Sequence, residues 1–190
     1  MSAAVERELE RARVFLGTIA GAADKAASSA LNRATAAGRE AGIKAIVDRY
    51  AVRPSDIREK VTVTTSKPDQ LEAAVVARSG SLALGYFPHT PTLAGTGGPG
   101  RPALRAEVLR GQERNVRGAF VATINGRTRI MMRTGGTTAS GKSAIKSVYT
   151  VPMAAMLGAD DVRAAVEARA VGVMGEVLDR EIDRALGKAA

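Results

Sequence analysis

The sequence predicts an α+β fold: long N-terminal helices, a central antiparallel sheet with hairpins, and a C-terminal helix. Three observations predict it. Apolar residues recur at helical spacing before residue 50 and after residue 160. The stretch between is β-branched and alternates with a period of two. An Asn125-Gly126 pair separates two of its alternating runs. At 190 residues the chain suits one domain overall. It divides into an N-terminal helical segment (1–50), a sheet region (51–158) with a mobile loop near 88–102, and a C-terminal helix (159–190).

Residues 5–50 read as alanine-rich helix, broken near Gly17 and Gly21 into two pieces. In the second piece Ala27, Leu31, Ala34, Ala41, Ile43, Ile46, Val47 and Tyr50 keep one narrow face apolar, and that face should lie against a sheet or another subunit. Pro54 or Ser55 starts a short helix, with Asp56 and Glu59 near its positive end. Residues 61–65 and 71–78 form a β-hairpin turned at Lys67-Pro68-Asp69. Residues 88–102 hold four of the seven prolines, and residues 95–100 hold four glycines, a composition that packs no core.

Residues 103–110 and 118–124 follow as strands. Asn125-Gly126 then suits a type I′ turn, which needs positive φ at both positions, and residues 128–133 return antiparallel. With a two-residue turn, Val121 pairs with Ile130 and Ala119 with Met132 on the core side. Phe120, Arg127, Arg129, Met131 and Arg133 point to the other face. That face suits contact with a partner or with DNA phosphate, and the alternative is a solvated face whose arginine stems cover apolar atoms. After a polar loop at 135–143, residues 145–151 form another strand, ended by Pro152. Asp160 and Asp161 cap a final helix reaching about Leu186. Its apolar face is Val162, Ala165, Val166, Val173, Val177, Leu178, Ile182 and Leu186, with Glu176 above Arg180 on the other side.

Composition narrows the chemistry. There is no cysteine and a single histidine, His89, so disulfides and thiolate metal sites are excluded and little is left for proton or metal chemistry. His89 reads as a loop residue. Hydrophobic residues make up 45% of the chain but aromatics only 3%, so the core is built from small aliphatic side chains and methionine. No secretion signal or membrane span is recognisable, which points to synthesis and use in the cytoplasm. The formal charge of +9 is concentrated: residues 101–146 carry ten Lys and Arg against two Asp and Glu. A localised basic surface of that kind meets phosphate or an acidic protein neighbour.

Gly136-Thr-Thr-Ala-Ser-Gly141-Lys142-Ser143 satisfies the P-loop pattern, so a nucleotide hydrolase has to be weighed. A P-loop opens a helix inside a parallel βαβ unit, whereas the run after Ser143 reads as a strand that ends at Pro152. A polar hairpin loop accounts for the match. Neither His89 nor the pair Asp160 and Asp161 sits in a nucleophile–base or carboxylate-dyad arrangement, so no catalytic, cofactor-binding or metal-binding residue is assigned.

Two stretches carry a resemblance. The first is Ala26-Ala-Ser-Ser-Ala-Leu-Asn-Arg-Ala34 followed by a helix into residues 49–60. The second is Arg117-Gly-Ala-Phe-Val-Ala-Thr-Ile-Asn-Gly-Arg127, then Met132-Arg133, residues 145–148 and Val151-Pro152-Met153. In order and spacing they resemble the phage minor tail protein Z family, from about Ala23 to the final helix. The chain departs from that family in its Gly/Pro-rich loop at 90–102 and its longer loop at 136–143.

The resemblance implies a non-enzymatic structural virion protein that completes the tail at the head–tail junction, a neck or minor tail protein. The implied partners are the tail terminator, the connector or the tail tube. A homo-oligomeric ring of about six copies would match the tail's symmetry, with packaged DNA possible in the channel, no membrane partner, and assembly in the host cytoplasm. Arg127, Arg129 and Arg133 are the candidate contact residues. The alternatives are a free-standing basic nucleic-acid-binding protein, which the charge alone supports, and, more remotely, a P-loop NTPase.

Overall fold

The structure is a computed structural model that describes residues 5–8, 10, 22–78, 80–92 and 103–189, with the backbone alone at 22 and 185–189. Helix α1 spans Ala22–Arg49 and α2 spans Pro54–Ile57. Strands β1 (Val61–Thr64), β2 (Ala74–Ala77) and β3 (Ser81–Ala83) lead through a 3-10 turn, Leu84–Tyr86, into β4 (His89–Thr90). Then come β5 (Leu104–Leu109), β6 (Gln112–Val116), β7 (Ala119–Ile124), β8 (Arg127–Thr137), β9 (Ser143–Ser147) and β10 (Tyr149–Pro152). Helices α3 (Met153–Leu157) and α4 (Asp160–Ala189) complete the chain. The α+β reading holds. The strands form four small antiparallel sheets, ordered β1-β2, β3-β10, β4-β5-β6 and β7-β8-β9, in place of one central sheet.

The chain falls into two compact units, residues 1–45, 58–78 and 157–190 in one and residues 46–57 and 79–156 in the other. The core of the first is helix on helix. Ala27, Ala30, Leu31 and Ala34 of α1 meet Met174, Val177 and Leu178 of α4, with Leu71 and Ala73 at the margin. The apolar face read on α1 therefore finds a helix of its own chain in this unit, where a sheet or another subunit was expected. Alternation and helical periodicity identify such a face without saying which apolar surface covers it.

Close approach of the two helices depends on glycine. A Cβ built on Gly42 would lie 2.8 Å from Val166 Cγ2 and 3.4 Å from Leu157 Cδ1. Val166 is β-branched and cannot swing aside cheaply. Gly42→Ala should therefore lower stability: overpacking costs about 1–3 kcal/mol, against about 1 kcal/mol gained in helix propensity. A urea titration of the variant reads the sign directly.

α1 also carries a polar stripe that the sequence reading passed over. Asn32 and Arg39 are seven positions apart, two turns, and so share a face. Asn32 Oδ1 accepts from the Ser66 backbone N–H (2.7 Å) and its Nδ2 donates to the Ser66 carbonyl (3.0 Å). Arg39 donates to the Val61 and Arg58 carbonyls, both at 2.6 Å, and pairs with Glu40. Between them these two side chains hold both ends of strand β1. The hairpin itself forms as the sequence suggests, with Val61 opposite Ala77 and a Lys67–Gln70 bridge around Pro68-Asp69.

The second unit has its own core of Leu84, Leu104, Ala106, Ala119, Val121 and Ile130, flanked by Val108, Val116 and Val148. The last turn of α1 reaches strand β5: Tyr50 bridges Leu109, and the Arg110 guanidinium donates to the Val47 carbonyl at 2.7 and 3.1 Å. A cation on the final carbonyls of a helix is favourable, since those groups lack partners within the helix.

Several elements differ from expectation. His89 and Thr90 pair with Ala106 and Arg105, so 89–90 is a strand and not part of a loop, and His89 Nδ1 lies 2.8 Å from the Phe87 carbonyl oxygen. Residues 93–102, Gly17 and Gly21 lie outside the described residues. β8 runs on through Gly135 and Gly136 to Thr137, with a register irregularity after Arg133, so the loop expected at 135–143 shrinks to 138–142. The strand expected at 145–151 is split at Val148 between β9 and β10. On α4, Arg180 donates to the Glu176 carbonyl (3.1 Å) in place of pairing with its carboxylate.

Candidate interaction surface

β7, β8 and β9 form a consecutive meander, so register alone decides which side chains share a face. The turn is as read: Asn125 has φ 52° and Gly126 φ 72°, as type I′ geometry requires. Val121 stands opposite Ile130 and Ala119 opposite Met132, with Val121 and Ile130 buried in the core of the second unit. The opposite face therefore carries Ile124 across from Arg127, Ala122 across from Arg129, and Phe120 across from Met131. On the far side of β8, β9 adds Ser147 across from Met131 and Ile145 across from Arg133.

The three arginines are exposed and lie in one line. Arg127 and Arg129 are neighbours on the face, about 7 Å apart along the strand, and Arg133 follows about 13 Å further on. The gap is filled by Met131, which is buried and takes a contact from Ser147 Oγ to its sulfur at 3.6 Å. Arg133 stacks over Phe120, its guanidinium carbon 5.1 Å from the ring centroid. A cation above a ring at an exposed site contributes about 0.5–1 kcal/mol, enough to bias the rotamer of Arg133. Among the described residues Arg127 and Arg129 have no ion pair or hydrogen bond.

The surroundings explain why. Residues 114–159 contain seven Lys and Arg and no Asp or Glu. Three other cations of the basic block are engaged: Arg105 pairs with Glu113 (2.7 Å), Arg110 caps α1, and Arg114 donates to Gln112 (3.2 Å). No carboxylate of the sheet's own strands is available to the arginine row. Sequence reasoning placed the row correctly but missed Ile145, 42% exposed beside Arg133, and Tyr149, 61% exposed on β10. Placing Ile145 required the length of the second hairpin loop, which Gly135-Gly136 obscured, and placing Tyr149 required the pairing of β10 with β3.

The P-loop-like segment is the tip of that second hairpin. Thr137 pairs with Ser143, and β9 follows with no helix. Two amides that a phosphate cradle would present are turned inward: Gly141 N–H donates to the Thr138 carbonyl (2.9 Å) and Lys142 N–H to Thr138 Oγ1 (3.2 Å). Among the described residues no group of His, Asp or Glu is arranged to hold a metal ion, and no helix is long and apolar enough to cross a membrane.

Chemically, an exposed arginine row on a sheet is able to pair with an anionic or hydrogen-bond-accepting group. The comparisons with known proteins supply the setting. A family model described as prophage minor tail protein Z matches residues 8–189, and the chain belongs to that family of structural phage tail proteins. No curated protein and no solved structure matches the chain.

Proposed function

We propose that this protein completes the phage tail where it meets the head, acting without catalysis as a neck component. The observation that carries the reading is the family match over nearly the whole chain, residues 8–189. In this reading it contacts the tail terminator, the connector or the tail tube, is assembled in the host cytoplasm, and stays in the virion. A ring of about six copies would use one heterologous interface repeated around the tail axis. Arg127, Arg129 and Arg133 are the residues proposed to face whatever lies against or within that ring.

The test is a prophage whose copy of the gene is deleted, induced and followed by electron microscopy and plaque assay. Unjoined heads and tails, or joined particles that fail to infect, are the expected result. Normal infectious particles would remove the assignment.

A further inference from the structure

We propose that the arginine face of β7–β9, together with the tip of the β8–β9 hairpin, binds the phosphate backbone of duplex DNA without reading its sequence. The proposal deepens the contact role given above to Arg127, Arg129 and Arg133, and rests on it.

The first ground is charge. The cations of residues 114–159 have no acid within that stretch to neutralise them, so their partner comes from outside it. A second copy of the chain is poorly suited. Four of its acids are already committed: Asp56 to Arg53 at 2.8 Å, Glu40 to Arg58 at 3.0 Å, Asp160 to Arg163 at 3.1 Å and Glu181 to Arg184 at 3.0 Å. The exposed acids left on α4, such as Glu167 and Asp179, are interspersed with Arg169 and Arg180. A phosphate backbone offers a dense line of one sign, which a line of arginines matches.

Shape is the second ground. From Arg127 to Arg133 the row extends about 20 Å, and duplex DNA presents one charge per ~1.7 Å of its axis, so several phosphates fall within reach of the row. Beyond it the hairpin remains exposed on both faces from Thr134 to Ser143, presenting Thr137, Ser140 and Lys142. Hydroxyls and a lysine at such a tip are donors for phosphate oxygens. The face holds no helix to enter the major groove, and the ring of Phe120 is covered by Arg133 and so is not offered to a base. Contacts of this kind position a duplex and carry no sequence information.

The experiment is fluorescence anisotropy of the purified full chain with two labelled duplexes of about 20 base pairs and unrelated sequence, titrated at several NaCl concentrations. Wild type should bind both equally. Three phosphate contacts alone should weaken binding about 40-fold between 50 and 200 mM salt. R127Q/R129Q/R133Q should flatten the slope of log affinity against log salt by about 2–3. R163A, which removes an arginine already paired with Asp160, should leave it unchanged. Should the triple variant misfold by circular dichroism, R127Q/R129Q serves in its place, expected to flatten the slope by about 2.

Absence of salt-dependent binding by wild type, or an unaltered slope in the variant, overturns the proposal. A prophage carrying the triple variant separates this from the tail assignment. Particles that contain the protein and join normally fit a DNA-facing row; particles that lack it make the row a protein contact and overturn DNA binding, while the gene deletion continues to test tail completion by itself.

Discussion

Asn32→Ala should lower the unfolding free energy by about 2–5 kcal/mol, a large effect for one partly exposed polar residue. Its carboxamide satisfies both the N–H and the carbonyl of Ser66, a residue only 6% exposed. Removing it leaves two buried backbone groups without partners, each at a cost of about 1–3 kcal/mol. Asn32→Asp should not rescue: it can still accept from the Ser66 N–H but sets an oxygen against the Ser66 carbonyl. The check is urea unfolding combined with hydrogen exchange, in which the Ser66 amide of the alanine variant should lose its protection while the amides of β7 keep theirs. A change below about 0.5 kcal/mol would mean that Ser66 reaches water in the variant and that the hairpin is held by Arg39 and apolar contacts. The same result gives a physical reason for the Leu-Asn-Arg stretch of α1, since its asparagine is the docking point for a distant turn.

Leu104→Ala is expected to cost about 2–5 kcal/mol as well, by a different route. Leu104 is fully buried at the start of β5, among Leu84, Ala106, Ala119, Val121 and Ile130. Two of those neighbours are alanines, too small to close over the space, so the transfer term and the cavity term both persist. Leu104→Met, which roughly conserves volume, should cost less than about 1.5 kcal/mol. The pair separates lost volume from lost polarity matching. Equal losses in the two variants, measured by chemical denaturation, would contradict a packed core at this position.

How far the sequence disclosed this molecule depends on the kind of signal each element carries. The β7–β8 register was readable to the residue because Asn125-Gly126 fixes the turn length, and period-two counting does the rest. The final helix announced itself through Asp160 and Asp161 and a regular apolar stripe. β6 did not, because Glu113, Arg114 and Asn115 leave it exposed on both faces, so no alternation was there to see. β3, β4 and α3 are too short for a periodic signal, and β3 depends on a partner, β10, distant in the chain. The candidate site was legible in part. Its arginines followed from register, but the burial of Met131 between them depends on neighbours brought in by β9, beyond a loop that Gly135-Gly136 misrepresented.

The helix pair at the core of the first unit has a consequence for how the protein is made. Leu31 meets Met174, roughly 140 positions later, so on a ribosome the docking face of α1 waits uncovered until that whole intervening stretch has been synthesised. A face of leucines and phenylalanines would spend that interval as an invitation to aggregate. Here three of its four buried positions, Ala27, Ala30 and Ala34, expose one methyl each, and the apolar area at risk is correspondingly small. The shortage of aromatics in the composition thus acquires a second meaning, as protection for a nascent chain whose two long helices must wait to find each other.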